Sequence, residues 1–265
     1  MVEHTTEQPT AFIEGLISVR SVLDTSSRHI FRIICSRDLP SRIVDPIFRA
    51  AKQKEILLEY KQREEIDLIA QGSTHGGVIA EVGPRSTVSL EQLILPNQNG
   101  WVAMVDGVED PYNFGASVRS LYAAGVHGLV LRPRNWMSAA AVVARSSAGT
   151  SERIPTAICD TAEDAAEYFG GLGFAIACAA DHGETTSIYE ADLRQPLFLL
   201  VGGEKRGITR AFLRKSTLRL RIPYGRPCDL SLGTVSAAAV IAFEIARQRA
   251  TANPITSNKT RKLNQ

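Results

Sequence analysis

From Trp101 onward, short apolar runs alternate with helix-length stretches, and nearly every run ends in glycine, proline or a polar turn. WVAMVDGV, HGLVLRP, GFAIACAA, LFLLVGG and LRLRIP read as strands, while NFGASVRSLYAAG, TAEDAAEYF, TRAFLRKS and TVSAAAVIAFEIARQR read as helices. Strands that alternate with helices predict a mostly parallel sheet covered on both faces. In such sheets ligands gather at the carboxyl ends of the strands. The turns that follow strands are therefore where function is sought.

Composition narrows the class further. The 265 residues carry 30 basic and 28 acidic side chains, a formal charge of +2, and 44% are hydrophobic, which excludes a disordered, collagen-like or disulfide-scaffold chain. No window holds the roughly 18 consecutive apolar residues of a membrane span, and the opening MVEHTTEQPT is polar, so an unprocessed cytoplasmic protein is expected. Cys35, Cys159, Cys178 and Cys228 stand far apart without a CxxC pair and read as buried free thiols. His4, His29, His75, His127 and His182 show no metal-ligand spacing, so no metal is expected. The near-neutral total hides a basic end: Arg247, Arg249, Lys259, Arg261 and Lys262 occur with no acid after residue 246. Such a tail either touches phosphate or simply solvates the terminus.

The first part of the chain reads as a compact α/β unit over residues 11–84. AFIEGLISVRSVLD has helical spacing, HIFRIICS reads as a strand, DPIFRAAKQK and EEIDLIAQ as helices, EILLEY as a short strand and HGGVIAEV as a strand entered through two glycines. GPRSTVSLEQLILPNQNG then brings two prolines and turn-forming residues, as an interdomain connection does. The expected division is 11–84, a linker at 85–97, a second domain at 98–250 and a basic, flexible tail at 251–265.

Three turns carry chemistry. DGVEDPYNFGASVRS leads a strand into a helix bearing Asn113, Gly115 and Arg119; Asn113 is either a helix cap or, in the first turn, a ligand-facing group that acts with Arg119. LFLLVGGEKRGI ends a buried strand in Gly202 and Gly203, with Glu204 and Gly207 beyond, and paired glycines let backbone approach a ligand. It fits neither GxxxxGK[ST] nor GxGxxG. RIPYGRPCDLSLGTVSAAAV passes through Ser231, Leu232 and Gly233 into a helix of small residues. Asp181-His182-Gly183-Glu184 reads as a solvated loop and GGLG at 170–173 as a helix stop.

In order and spacing, these turns resemble the three motifs of the SpoU (TrmH-like) branch of the SPOUT RNA methyltransferases. The resemblance covers residues 98 to about 250 and extends, more weakly, to an N-terminal RNA-binding domain similar to small ribosomal proteins. It implies methyl transfer from S-adenosyl-L-methionine to a ribose 2′-hydroxyl of rRNA or tRNA, rRNA favoured, by a homodimer whose catalytic domain holds a trefoil knot, an exception to the rule against threaded chains.

Carried onto this chain, the first motif, N-x-G-x-x-x-R, falls on Asn113, Gly115 and Arg119, with the arginine acting on the 2′-hydroxyl. A guanidinium stays protonated through the useful pH range, which favours orienting and charge stabilisation over a base role. The second motif falls on Gly202, Gly203, Glu204 and Gly207, with Gly202 offering backbone to the cofactor. The third begins at Ile222, whose backbone is expected to hold the adenine, and ends at Ser231 and Leu232. Where the family commonly reads Ser-Leu-Asn, this chain reads Ser231-Leu232-Gly233. Ser231, Thr234 or Asp229 are the candidates to replace the missing amide. Two alternatives stay open: an RNA-binding protein of the same fold with lost or altered activity, and a base-methylating SPOUT enzyme.

Overall fold

The computed structural model describes residues 10–94, 99–133, 138–180, 183–203, 207–227 and 231–252. Two sheets organise it. The first has the order β1-β4-β2-β3, built from β1 (Ala11–Glu14), β2 (Arg28–Ser36), β3 (Leu57–Lys61) and β4 (Val78–Arg85). Helices α1 (Leu16–Thr25) and α2 (Ser41–Gln53) connect β1 to β2 and β2 to β3, and the five-residue α3 (Arg63–Asp67) follows β3. The apolar faces of α1 and α2 join Ile13, Ile33 and Val82 in one core.

The stretch Ala11–Asp24, expected as a single helix, is instead a strand followed by a helix. Gly15 breaks it at φ +90°, a conformation open to glycine, and Ala11–Glu14 pair antiparallel with β4. Four residues are too few for helical and strand periodicity to be told apart.

The second sheet is parallel throughout, with the order β7-β6-β5-β10-β8-β11-β9. Its strands are β5 (Trp101–Asp106), β6 (Gly128–Leu131), β7 (Thr156–Ile158), β8 (Ala175–Ala179), β9 (Thr186–Ser187), β10 (Leu197–Gly202) and β11 (Leu218–Arg221). On one face α4 (Pro111–Ala123) and α9 (Thr234–Ala252) pack against each other, their Leu121 and Ile241 sharing a core with Leu199. On the other, α7 (Ala162–Gly171) and α8 (Arg210–Lys215) bury Phe169 and Phe212 with Phe198, the rings of Phe169 and Phe198 stacked 4.9 Å apart. This is the two-faced parallel sheet that the alternation predicts. Gly173, at φ +81°, follows α7 as the helix-stop reading expects.

Sequence reasoning passed over α5 (Ala140–Ser146) and α6 (Thr150–Arg153), which join the two units. Ala140 and Ala144 of α5 complete the core of the first sheet, while Val143 faces the second. Ion pairs reinforce the junction. Arg28 on β2 grips Glu152 on α6, with Nε to Oε2 at 3.0 Å and Nη2 to Oε1 at 3.1 Å, and Arg145 on α5 pairs with the buried Glu14 of β1. After β4, Val88 bridges to Ala157 and Leu93 buries itself beside Val102, so the described part of the connection lies on the second sheet. Cys35 and Cys178 are buried free thiols and Cys159 is half-buried. Burial raises the Cys35 thiol to about 11, which leaves it inert. Cys228, Asp181, His182 and the tail from residue 253 lie outside the described residues.

Candidate active site

Strands β5 and β10 run side by side with Val201 opposite Val105 and Gly202 opposite Asp106. The first and second turns therefore leave the sheet at one height. There the chains nearly touch: a Cβ on Gly203 would lie 2.1 Å from the Gly107 oxygen and 2.4 Å from its carbonyl carbon. Gly107 itself sits at φ +75°, where a side chain is strained. Gly203 is thus required first by the approach of two backbones.

The third turn is fastened to the same point. Thr234, the first residue of α9, donates its hydroxyl to the Gly202 oxygen at 3.2 Å. The Gly207 N–H donates to the Gly203 oxygen at 3.0 Å. An added Cβ on Gly207 would meet nothing within 4 Å, so Gly207 borders open space among the described residues. Ile222, just past β11, packs half-buried against the core that also holds Val108 of the first turn. Leu232 donates its backbone N–H to the Tyr224 hydroxyl at 3.0 Å, which braces the stretch before α9; Leu232, Tyr224 and Ser231 are exposed. Glu204 and Asp229 lie outside the described residues.

Asp110 is the cap of α4, accepting from the Tyr112 N–H at 3.0 Å, with Pro111 at the first helical position. Asn113 is therefore not the cap and stands half-buried in the first turn, the condition on which a ligand-facing role rests. Arg119 lies about 9 Å further along the helix at 1.5 Å per residue, and helical side chains lean toward the N-terminus, so its long side chain can reach back toward the turn. It is exposed and makes no hydrogen bond or ion pair among the described residues. Gly115 has a packing role: a Cβ there would lie 1.9 Å from Ser146 Oγ and 2.8 Å from the Val143 oxygen.

Gly233 accepts the Ala237 N–H at 3.0 Å, the first bond of α9, and so occupies its N-cap. Asparagine and glycine are both favoured there and differ by only a few tenths of a kcal/mol. The departure from Ser-Leu-Asn thus leaves the backbone intact. Of the two described candidates to replace the amide, Thr234 is committed to the Gly202 carbonyl and Ser231 faces solvent.

Sequence reasoning missed a charged pair at the mouth. Arg132 Nε lies 3.3 Å from Asp106 Oδ1, both just two residues beyond the paired Met104 and Val130 of β5 and β6. A polar residue closing each of two adjacent apolar strands was the available signal. Among the described residues no group of histidine, cysteine or carboxylate side chains could hold a metal, and no helix is long and apolar enough to cross a membrane.

Comparison with known proteins bears on this geometry. The model of the SpoU rRNA Methylase family matches residues 100–243, and that of RNA 2′-O ribose methyltransferase substrate binding matches residues 12–88. An uncharacterized tRNA/rRNA methyltransferase of Mycolicibacterium gilvum is 32% identical over 216 residues, 80% of this chain and 68% of that protein. The 23S rRNA (guanosine-2′-O-)-methyltransferase RlmB of Shewanella oneidensis is 26% identical over 240 residues, 89% of this chain and 97% of that one. Among solved structures, the SpoU methyltransferase AviRb from Streptomyces viridochromogenes in complex with AdoMet superposes with a TM-score of 0.76 at 20% identity over 92% of each chain. An AdoMet-bound rRNA methyltransferase from Sinorhizobium meliloti gives 0.76 at 22% identity, over 90% of this chain and 87% of that one. With a family match over more than half its length, seated on the three joined turns, the chain belongs to the SpoU family and is an RNA methyltransferase that uses S-adenosylmethionine.

Proposed function

We propose that the enzyme methylates a ribose 2′-hydroxyl of ribosomal RNA at the carboxyl ends of β5, β10 and β11. The observation that carries this reading is the meeting of the three turns, where Gly203 abuts Gly107 and Thr234 holds Gly202. The residues fit the cofactor: Ile222 and Leu232 supply apolar walls, the second turn supplies backbone donors and acceptors, and the space beside Gly207 is open. When bound, S-adenosylmethionine supplies an activated methyl carbon and needs no metal. Gly202, Gly203 and Gly207 line the donor through backbone, with Ile222 and Leu232 framing its adenine.

In this reading Arg119 holds the acceptor ribose and its neighbouring phosphate, which its unengaged, exposed guanidinium suits. Asn113 orients the hydroxyl from the first turn of α4, with Glu204 and Ser231 supporting the site. Alignment of acceptor oxygen with donor carbon and exclusion of water are then the main sources of rate. Second-copy contact has its own support, since α4 exposes Tyr112 and Tyr122 while the adjacent α9 exposes Val240 and Phe243. We assign the homodimer to this face. The trefoil knot belongs to the same reading; the turns through which the chain would thread include 204–206 and 228–230, outside the described residues. The substrate-binding role of residues 11–84 likewise follows from this reading.

The test is transfer of labelled methyl from S-adenosylmethionine to intact ribosomal subunits and to protein-free RNA, followed by nucleoside digestion. Label in a 2′-O-methylnucleoside is expected. Label confined to a methylated base would overturn the assignment.

A further inference from the structure

Between the two units lies a cavity of about 210 Å³, on the buried side of the helix that carries the first motif. Phe114 and Val118 of α4, Leu129 of β6 and Val143 of α5 form its apolar interior, and Pro84, Thr87 and Ile158 are exposed at its rim. An apolar cavity of roughly 150 Å³ accepts a benzene ring, whereas drug-sized ligands occupy roughly 300–1,000 Å³. The volume thus suits a single planar ring system.

One end of this cavity is cationic. Arg28, Arg85 and Glu152 all line it, two guanidiniums against one carboxylate. Glu152 is already engaged: its oxygens accept Nε and Nη2 of Arg28, and Oε2 also accepts the Ser27 hydroxyl at 2.8 Å. Arg85 is left at 3.8 Å from Glu152 Oε2. Its Nη2 donates to the Ile154 oxygen at 2.5 Å, while its buried Nε, the atom ion-paired with Glu152, makes no hydrogen bond among the described residues. A buried charged donor left without a hydrogen bond is costly, and an anion brought to it would relieve that cost. Burial holds the Arg85 guanidinium below its ordinary range, with Arg28 adding to the effect and Glu152 opposing it. The geometry and the charge call for an anion attached to an apolar, ring-sized group.

We propose that this cavity receives one nucleotide of the RNA, its base between Phe114 and Leu129 and its phosphate on Arg85. The proposal rests on RNA being the substrate, and it adds a second point of attachment where the unit of residues 11–84 meets the catalytic sheet. Its chemistry is that of a mononucleotide, whether within RNA or free.

The experiment is calorimetric titration of the full-length protein with 5′-nucleoside monophosphates, the matching nucleosides, octanoate and a short single-stranded RNA. Wild type, Ile158→Trp and Arg85→Gln are compared. Ile158 is 40% exposed, so a tryptophan there obstructs the rim without entering the core, and Arg85→Gln leaves the Arg28–Glu152 pair intact. Mononucleotide binding is expected, weakened about tenfold without the phosphate and about tenfold in either variant, with RNA affinity falling in step. Affinity for S-adenosylmethionine should hold within about twofold, since the variants leave its groups in place. Unchanged nucleotide and RNA affinity in both variants overturns the proposal. Octanoate binding without nucleotide binding also overturns it, and nucleotide binding with RNA affinity indifferent to Ile158→Trp overturns RNA as the source. Failure of methyl transfer to every RNA, with RNA affinity still lowered by Ile158→Trp, would sink the ribose reading and support the cavity.

Discussion

Gly203 shows how little latitude a single position in the second turn has. Both groups its Cβ would strike belong to the Gly107 backbone, so relief requires movement of a strand end. Gly203→Ala is expected to lower stability by about 1–3 kcal/mol and to weaken S-adenosylmethionine binding, read by urea denaturation and calorimetry. Gly170→Ala is the counterpart: it lies inside α7, its Cβ would meet Ile176 at an ordinary 3.7 Å, and a gain of about 0.5–1 kcal/mol is expected. Arg119→Ala should abolish methyl transfer and leave cofactor affinity within about threefold, because its side chain supports nothing else among the described residues. Unchanged turnover would sink the role. The glycines of the second turn were visible in the sequence as a close approach, but the partner in that approach, Gly107, was not. Contact between residues 107 and 203 follows only from placing β5 beside β10.

At the scale of elements, His127 links three pieces of structure. It precedes β6, its Nδ1 accepts the Trp101 N–H at the start of β5 at 3.2 Å, and Arg249 of α9 lies near enough to act on its charge. Burial first, and then Arg249, hold its imidazole below the ordinary value of 6.5. The folded state thus favours neutral imidazole, and the unfolded chain binds more protons as pH falls through 6.5. This contribution to stability is full above pH 6.5 and is lost on acidification below it. Urea denaturation at neutral and acidic pH should show His127→Gln losing less stability on acidification than wild type. Long elements were legible because their apolar residues repeat over several turns, as in α4 and α9. β1, α5, α6 and β9 were not, since two to seven residues carry too little periodicity.

For the whole molecule, the Arg28–Glu152 fork matters because both partners are buried and come from different sheets' surroundings. Glu152→Ala leaves two arginines without their shared carboxylate, and a loss of about 3–5 kcal/mol is expected by chemical denaturation. Wild type should unfold in one transition, with tryptophan fluorescence and far-UV circular dichroism coincident. Two separated transitions would contradict the joint core. The motifs at strand ends disclosed the site because they are local, whereas this junction depends on residues more than a hundred positions apart and left no local trace.

Ala140 and Ala144 have a consequence of another kind. They sit on a helix of the second unit yet finish the interior of the first, so the span between them is fixed by packed side chains and not by a tether. The enzyme is a calliper with a locked opening. Under the proposed division of labour, an RNA held at one jaw presents to the other only what lies a set distance away, and the choice of target becomes a matter of length.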